Sequence, residues 1–182
     1  KCSSVMFEEI EKMGGKGVMW KTGHSLIKDK MAELDAPLAG ELSGHIFFAD
    51  KYYGFDDGLY CAIRLINEVA TSGKSLHDMT HNINNLHSTP EVRFEVNENE
   101  KFDLVPRVYD ALKSENGDFE INDIDGVRVT TQDGWWLLRP SNTQSVLVAR
   151  AESKTEDGLK RLTEMACSQV AKIGYNLDFT KA

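Results

Sequence analysis

The feature that most constrains the fold is a change of hydrophobic pattern at residues 87–90, His-Ser-Thr-Pro. Before this point, short apolar runs alternate with segments whose apolar residues have helical spacing. After it, strand-like runs separated by turn residues dominate, with two helical segments among them. A chain of 182 residues is long enough for two small domains. The change therefore predicts two domains, residues 1–87 and residues 88–182.

The first part is predicted to be an α/β domain with α/β/α layers and a mixed sheet, because strands and helices alternate along it. Helices are predicted at residues 5–13, 24–34 and 58–70, with a weaker one at 76–86. Strands are predicted at residues 17–21 and 37–42, and a small hairpin at 46–48 and 51–53. Asp56 and Asp57 supply N-cap chemistry for the long third helix.

The second part is predicted to be an α+β domain, a mostly antiparallel sheet backed by two helices. Strands are predicted at residues 91–96, 126–130, 135–139 and 145–151, and helices at 102–112 and 155–173. Pro106 is placed in the first turn of its helix, where proline is tolerated. Asp133 and Gly134 are predicted to form a hairpin turn.

Composition and charge narrow the function classes. The formal net charge is −8, which argues against a nucleic-acid partner, although a phosphorylated small substrate needs only a local positive cluster. Three widely spaced cysteines, Cys2, Cys61 and Cys167, form no disulfide framework and predict a reducing cytoplasm. No apolar run approaches the roughly 18 residues of a membrane span, and no signal peptide is visible.

A first polar loop, GELSGH at residues 40–45, follows a predicted strand. Glu41, Ser43 and His45 are spaced by two, so in an extended loop their side chains would point the same way. A carboxylate accepts hydrogen bonds from vicinal hydroxyls, and a neutral imidazole both donates and accepts. The glycines let the backbone approach a ligand. The loop is therefore suited to sugar hydroxyls, with an ordinary polar turn as the alternative.

A second polar loop, RPSNT at residues 139–143, lies between two predicted strands. Arg139 can bind a phosphate through two parallel hydrogen bonds. Ser141, Asn142 and Thr143 add neutral donors, and the loop amides can form an anion-binding nest. A β-turn rich in Ser and Asn is the alternative. Neither loop offers a convincing centre for covalent chemistry.

Histidines and aromatic residues supply weaker signals. His24 begins a predicted helix just after a predicted strand, where α/β sheets place ligands and helix N-termini favour anions. Taken alone, it is more simply a helix residue without a function. His77, His81 and His87 lack an HExxH pattern or a carboxylate partner and are predicted to be surface residues. Trp135 and Trp136 are expected on opposite faces of one strand. The aromatic residues expected to pack beneath the first loop are Phe47, Phe48, Tyr52, Tyr53 and Phe55.

Taken together, the segments KTGHSLIK, GELSGH, FFAD, YYGFDDG and RPSNT resemble, in order and spacing, the α-D-phosphohexomutases. The likeness is greatest to the phosphomannomutase/phosphoglucomutase branch and runs across the whole chain. That branch usually has Met at the position of Leu42, whereas phosphoglucosamine mutases usually have Gln there. Gln144 and Ser145 depart from the Glu-Pro or Thr-Pro that usually follows the last loop.

The resemblance implies which part of such an enzyme this chain is. The family has four domains, with a phosphoserine in the first and a DGDxDR magnesium loop in the second. This sequence contains neither a TASHNP-type serine loop nor DGDxDR. It corresponds to most of domain three and to domain four, which has a TATA-binding-protein-like fold. The implied substrate-binding residues are Lys1, His24, Glu41, Leu42, Ser43, Gly44, His45, Arg139, Pro140, Ser141, Asn142 and Thr143.

The resemblance also implies an activity for the parent protein. Phosphoryl would move between C1 and C6 of mannose or glucose phosphates through a hexose 1,6-bisphosphate intermediate, with Mg²⁺ and the phosphoserine supplied by domains one and two. This chain would contain no catalytic residue proper and no metal ligand, with His24 and His45 as candidates for acid/base assistance. The chain alone is expected to be inactive. Two alternatives remain open, a free-standing phosphosugar-binding module without catalysis and the C-terminal half of a phosphoglucosamine mutase.

Overall fold

A computed structural model describes residues 1–83 and 86–180 of the chain. These residues form two compact units, Lys1–Asn84 and Asn85–Ala182. None of the helices formed by the described residues is long and apolar enough to cross a membrane.

The first unit contains four helices and two short strands among its described residues. In chain order they are α1 (Ser4–Lys12), α2 (His24–Leu34), β1 (Leu38–Gly40), β2 (Ile46–Phe48), α3 (Gly58–Ser72) and α4 (Leu76–Thr80). The side chain of Asp57 caps α3 by accepting a hydrogen bond from the Tyr60 amide, as its position before the helix predicted. Gly73, with a φ of 66°, ends α3 in the left-handed conformation that glycine adopts readily.

The strands of the first unit form a hairpin. β1 and β2 are antiparallel, with Gly40 opposite Ile46, so the first polar loop is the tip of this hairpin. The predicted pairing of residues 46–48 with 51–53 is wrong, because β2 pairs back with β1 instead. The predicted strand at residues 17–21 is also wrong: this apolar run has no strand partner among the described residues, and Val18 and Trp20 are exposed.

The predicted weak helix at residues 76–86 is only partly present. Its described portion ends at Thr80, and Asn84 and Asn85 lie outside the described residues. The capping box formed by Ser75 and Asp78 starts this short helix. Beyond Thr80, Ile83 is exposed and contributes little burial that would extend the helix.

Among its described residues, the second unit contains two helices packed on one antiparallel sheet. Its elements are β3 (His87–Ser88), β4 (Val92–Glu95), α5 (Lys101–Lys113), β5 (Glu120–Asn122), β6 (Val127–Thr131), β7 (Gly134–Pro140), β8 (Val146–Ser153) and α6 (Glu156–Lys172). The strand order is β3-β8-β7-β6-β5, and β4 also pairs with β8. The two units together confirm the predicted fold class, an α/β domain followed by an α+β domain.

The core of the second unit lies between the sheet and its two helices. Trp136 and Leu138 of β7 point into it, together with Leu104 of α5 and Leu162 of α6. Trp135 is buried on the opposite face of β7, where the guanidinium of Arg128 lies 3.6 Å from its ring centre. The prediction that the two tryptophans lie on opposite faces is confirmed.

The structure locates three features of the second unit more closely: the residues at its start, one hairpin turn and Pro106. His87, which the predicted boundary assigns to the first domain, pairs with Ser153 of β8. Thr131 lies opposite Gly134, so the turn between β6 and β7 is residues 132–133 rather than 133–134. Pro106 is the sixth residue of α5 and not in its first turn.

Candidate substrate-binding site

The first polar loop is a compact turn and not the extended segment that the sequence suggested. The Glu41 amide donates to the His45 carbonyl at 2.8 Å, and the Gly44 amide donates to the Glu41 carbonyl at 3.0 Å. Gly44 has a φ of 93°. Residues 42–44 therefore form a three-residue hairpin loop with a left-handed glycine at its end, a common way to join two strands.

The turn brings together two of its three polar side chains. The Ser43 hydroxyl donates to Glu41 Oε2 at 3.3 Å. His45 is directed elsewhere, since its Nδ1 lies 2.8 Å from Oδ2 of Asp56. A donating Nδ1–H at this contact leaves Nε2 as an acceptor. Leu42 is exposed at the tip of the loop. Glu41 and Ser43 thus form one polar pair, with His45 oriented separately by a carboxylate that sequence reasoning had assigned to helix capping.

The hairpin is supported by tyrosines and one ion pair. The ring of Tyr52 stacks on Tyr60 with 3.8 Å between centres. Its hydroxyl donates to Asp57 at 2.6 Å, which raises the pKa of Tyr52 and lowers the pKa of the Asp57 carboxyl. Arg64 pairs with Asp50 at 3.0 Å just after β2. These contacts attach the segment after β2 to α3, and Tyr60 of α3 also meets the ring of Phe48 in β2, with 5.8 Å between ring centres.

The predicted aromatic packing beneath this loop is correct for only some of its members. Phe47 is fully buried against Ile27 and Met31 of α2. Tyr53 and Phe55 are exposed instead, with their rings stacked 5.4 Å apart. Alternation along β2 explains the burial of Phe47, whereas residues after the strand follow no such pattern.

His24 and Lys1 lie elsewhere in the first unit. His24 is the first residue of α2, is exposed, and has its Nδ1 3.4 Å from the Ser25 hydroxyl. Gly23 precedes it without a side-chain cap. Lys1 precedes α1 and is half-buried. The described residues show no hydrogen bond between His24 and the hairpin loop.

The second polar loop begins inside the sheet, since Arg139 and Pro140 are the last residues of β7. Ser141 is buried, and its hydroxyl accepts hydrogen bonds from the amides of Thr143 at 3.4 Å and Gln144 at 3.2 Å. The Thr143 and Gln144 amides are therefore turned onto Ser141, and the Ser141 amide donates to the Val146 carbonyl at 3.0 Å. Asn142 is exposed. The loop therefore presents the polar side chains of Asn142 and Thr143 at its surface, whereas the Ser141 hydroxyl is buried beneath them.

Arg139 is buried and paired with Asp125, which sequence reasoning missed. Only 5% of Arg139 is exposed. Its Nη2 donates to Asp125 Oδ1 at 3.3 Å. Its Nε lies 3.2 Å from Oδ2 within the same ion pair, without the alignment of a hydrogen bond. The Asp-Gly dipeptide at residues 125–126 signals a turn, but nothing in the sequence indicates that this turn lies against Arg139.

A second charged group holds the far end of the loop. Lys101 is only 2% exposed, and its Nζ donates to the Gln144 carbonyl at 2.9 Å and to Glu98 at 3.1 Å. A hydrogen bond with Ser145, together with Lys101, lowers the pKa of the Glu98 carboxyl. Arg93 donates to the Gln144 side chain at 2.8 Å. Sequence reasoning missed these residues, because a lysine in a helical segment carries no sign of burial.

Metal-binding chemistry is not evident at either loop. In the part of the chain that the structure describes, no group of three or more His, Cys, Asp or Glu side chains could hold a metal ion.

Comparison with known proteins places both units. Residues 1–86 match the family model for the alpha/beta/alpha domain III of phosphoglucomutase/phosphomannomutase. Residues 91–169 match the model for the C-terminal domain of the same family. The chain belongs to the phosphoglucomutase/phosphomannomutase family. Membership agrees with the resemblance of the polar loops and with the two-unit fold.

Individual relatives of this family match nearly the whole chain. A phosphomannomutase/phosphoglucomutase from Pseudomonas syringae pv. tomato is 41% identical over 98% of this chain and 38% of its own length. A phosphoglucomutase from Neisseria gonorrhoeae is 38% identical over 89% of this chain and 35% of its own length. A crystal structure of a phosphoglucomutase/phosphomannomutase family protein from Burkholderia thailandensis matches with a TM-score of 0.84 and 36% identity, covering 97% of this chain and 37% of that one. The chain thus spans less than two fifths of the relatives it matches.

Proposed function

We propose that this chain is the C-terminal, substrate-binding part of a phosphomannomutase/phosphoglucomutase. The parent enzyme would interconvert hexose 1-phosphates and 6-phosphates of mannose or glucose through a bisphosphorylated intermediate. The family match of both units and the names of the relatives support this proposal. The three cysteines, none of which forms a disulfide, support a reducing, cytoplasmic setting.

The observation that carries the proposal is the guanidinium of Arg139, buried at the base of an exposed polar loop. A buried charge is unfavourable unless it is paired, and an arginine presents a planar fork that fits a phosphate. Asp125 neutralises this charge in the unliganded chain. Arg139 would bind the phosphate remote from the reacting centre, with Ser141, Asn142 and Thr143 as neutral partners. Pro140 would restrict the backbone conformation at the start of the loop.

The first loop would bind the sugar. Glu41 and Ser43 already lie side by side at the hairpin tip, and a carboxylate beside a hydroxyl can accept from and donate to vicinal sugar hydroxyls. Leu42 and Gly44 would complete the loop surface. His45 and His24 would assist proton movement, and Lys1 would contact the substrate. Each of these roles is part of the proposal.

Catalysis would need the parent enzyme. The proposed partners of this chain are domains one and two, which in this family carry a phosphoserine and a Mg²⁺ site. When bound there, Mg²⁺ stabilises charge on the transferring phosphoryl group. This chain would position the far phosphate and orient the hydroxyls, so it would bind a phosphosugar without turning it over.

The proposal is tested by activity and binding on the same preparation. Residues 1–182 should show no conversion of glucose 1-phosphate with a catalytic amount of glucose 1,6-bisphosphate, while an intact mutase of the family converts it. In amide NMR spectra, titration with glucose 6-phosphate should shift the signals of residues 41–45 and 139–145. Turnover by the chain alone would contradict the inactive-part assignment, and unshifted loop signals would contradict the binding role.

A pair of variants assigns the phosphate contact. Arg139→Ala should weaken glucose 6-phosphate binding roughly tenfold or more, since a hydrogen bond to a charged group contributes about 1.5–3 kcal/mol. Arg107, exposed on α5, provides the matched control. Arg107→Ala should leave the affinity unchanged. Equal affinity of the two variants for glucose 6-phosphate would show that Arg139 does not contact the phosphate.

A further inference from the structure

The turn between β5 and β6 lies directly against the end of β7. Gly126 in this turn has a φ of 93°. A Cβ atom placed there would lie 2.4 Å from the Leu138 carbonyl oxygen and 2.6 Å from Cβ of Arg139. Real Cβ atoms do not approach other atoms so closely, so this conformation and this contact require glycine. The close approach brings the preceding residue, Asp125, beside the Arg139 side chain.

The resulting ion pair occupies only one edge of the guanidinium. Asp125 lies along the edge formed by Nε and Nη2, at 3.2 Å and 3.3 Å. A guanidinium has a second edge, formed by Nη1 and Nη2, which carries two parallel N–H donors. Within residues 1–83 and 86–180, the Arg139 side chain forms no other hydrogen bond or ion pair. The second edge is therefore free of described protein partners.

We propose that Asp125 is a positioning residue, which holds the Arg139 guanidinium so that its Nη1/Nη2 edge is available to the phosphate group of the substrate. This inference rests on the proposed phosphate-binding role of the second loop. The side chains of Arg139 and Asp125 are 6% and 25% exposed, so the pair is largely shielded from water and from screening by salt. A side chain with several rotatable bonds is thereby held in one orientation before the ligand arrives, which lowers the entropic cost of binding.

A positioning role and simple charge repulsion predict opposite changes in phosphate affinity for the substitution Asp125→Asn. Removing a carboxylate near a bound anion removes a repulsion, so Coulomb's law alone predicts tighter phosphate binding in Asp125→Asn. If Asp125 instead orients Arg139, the same substitution frees the guanidinium and weakens binding. Asp123, exposed in the same turn, supplies a control with the identical change of charge.

The experiment titrates the 182-residue chain with inorganic phosphate and, separately, with glucose 6-phosphate. NMR follows the amides of residues 141–145 and the Nε–H signal of Arg139. Asp125→Asn should weaken binding of both ligands about fivefold, because the guanidinium is kept but must be ordered when the ligand binds. Its Arg139 Nε–H signal should exchange faster with water before any ligand is added. Asp123→Asn should leave both readouts as in the unmodified chain.

The outcomes separate this inference from the proposed function. Equal or tighter phosphate binding by Asp125→Asn would overturn the positioning role of Asp125 while leaving the binding role of the loop intact. Absence of any shift at residues 139–145 in the unmodified chain would overturn the proposed function, and the positioning role with it. If Asp125→Asn does not fold, Asp125→Glu retains the charge but moves the carboxylate. That variant should also bind phosphate more weakly, and undiminished affinity would overturn the inference.

Discussion

The two candidate loops are held by different kinds of interaction. The hairpin loop at residues 42–44 is shaped by its own backbone hydrogen bonds, and its Ser43 hydroxyl donates to the nearby Glu41. The loop after β7 is held by Asp125, and at its far end by Lys101, neither of which is near it in sequence. A local turn needs little beyond its own residues, whereas a buried ion pair depends on the whole sheet and α5.

The units that carry these loops differ in the same way. In the second unit, a continuous core runs between the sheet, α5 and α6. In the first, the buried apolar cluster of described residues contains Ile27, Met31 and Phe47. Helix α3 exposes Leu59, Ile63 and Ile66, which share one face of the helix. We therefore expect the second unit to be the more stable of the two in this chain.

The largest expected effect tests this difference in stability by replacing one leucine in each unit with alanine. Leu138 is fully buried in β7, and Leu59 is 73% exposed on α3. Leu138→Ala should lower the unfolding free energy of the second unit by about 2–5 kcal/mol through lost burial and a cavity. Leu59→Ala should change stability by no more than about 0.5 kcal/mol. Urea unfolding followed by tryptophan fluorescence measures both, and similar losses would show that α3 is packed in solution.

The next largest effect concerns affinity: comparing glucose 6-phosphate with inorganic phosphate distinguishes the proposed roles of the two loops. Glu41→Gln should weaken glucose 6-phosphate binding roughly tenfold, because an accepting carboxylate is lost, while inorganic phosphate binding stays the same. Arg139→Ala should weaken the binding of both ligands. Titrations of each variant with each ligand provide the comparison. A loss of inorganic phosphate affinity in Glu41→Gln would show that the division between sugar and phosphate is wrong.

A smaller effect concerns the tether of the second loop. Lys101→Met removes the hydrogen bond to the Gln144 carbonyl, which should cost about 1 kcal/mol locally and speed exchange of the Gln144 amide roughly fivefold. Lys160, exposed on α6, is the control. Lys160→Met should leave that amide unchanged in hydrogen exchange monitored by NMR. Equal protection in both variants would mean that Lys101 does not hold the loop.

The smallest expected effect is a pH dependence of the second unit. Arg161 binds Asp133 through its Nε at 2.8 Å and also through its Nη2, which lowers the pKa of the Asp133 carboxyl. A lowered pKa in the folded state contributes stability that is present above the unfolded pKa of about 4 and is lost as the pH falls through the folded value. Asp133→Asn should therefore make stability less dependent on pH below about 4. Thermal unfolding at pH 3 to 7 measures this, and parallel profiles for both proteins would contradict it.

Interactions between residues close in sequence were sufficient to predict most helices and the residue types of the two candidate loops. The N-caps at Asp57 and Thr155 lie where the sequence placed them, because capping depends on residues within one turn. The tryptophans of β7 alternate as strand geometry requires. The sequence failed at residues 17–21 and 51–53, where apolar or aromatic composition indicated strands, because neither segment pairs with another strand in the described part of the chain. Strand pairing is a long-range choice, and composition does not specify it.

The sequence by itself determined that an arginine, a carboxylate and hydroxyls stand in two short loops of two differently patterned domains. Only the tertiary structure decided that Arg139 is buried and that Asp125, fourteen residues earlier, holds one edge of its guanidinium. The close contact at Gly126 fixes that geometry through the packing of a turn against a neighbouring strand. Propensities act over a few residues, whereas a buried ion pair forms only when separate strands bring its two charges together.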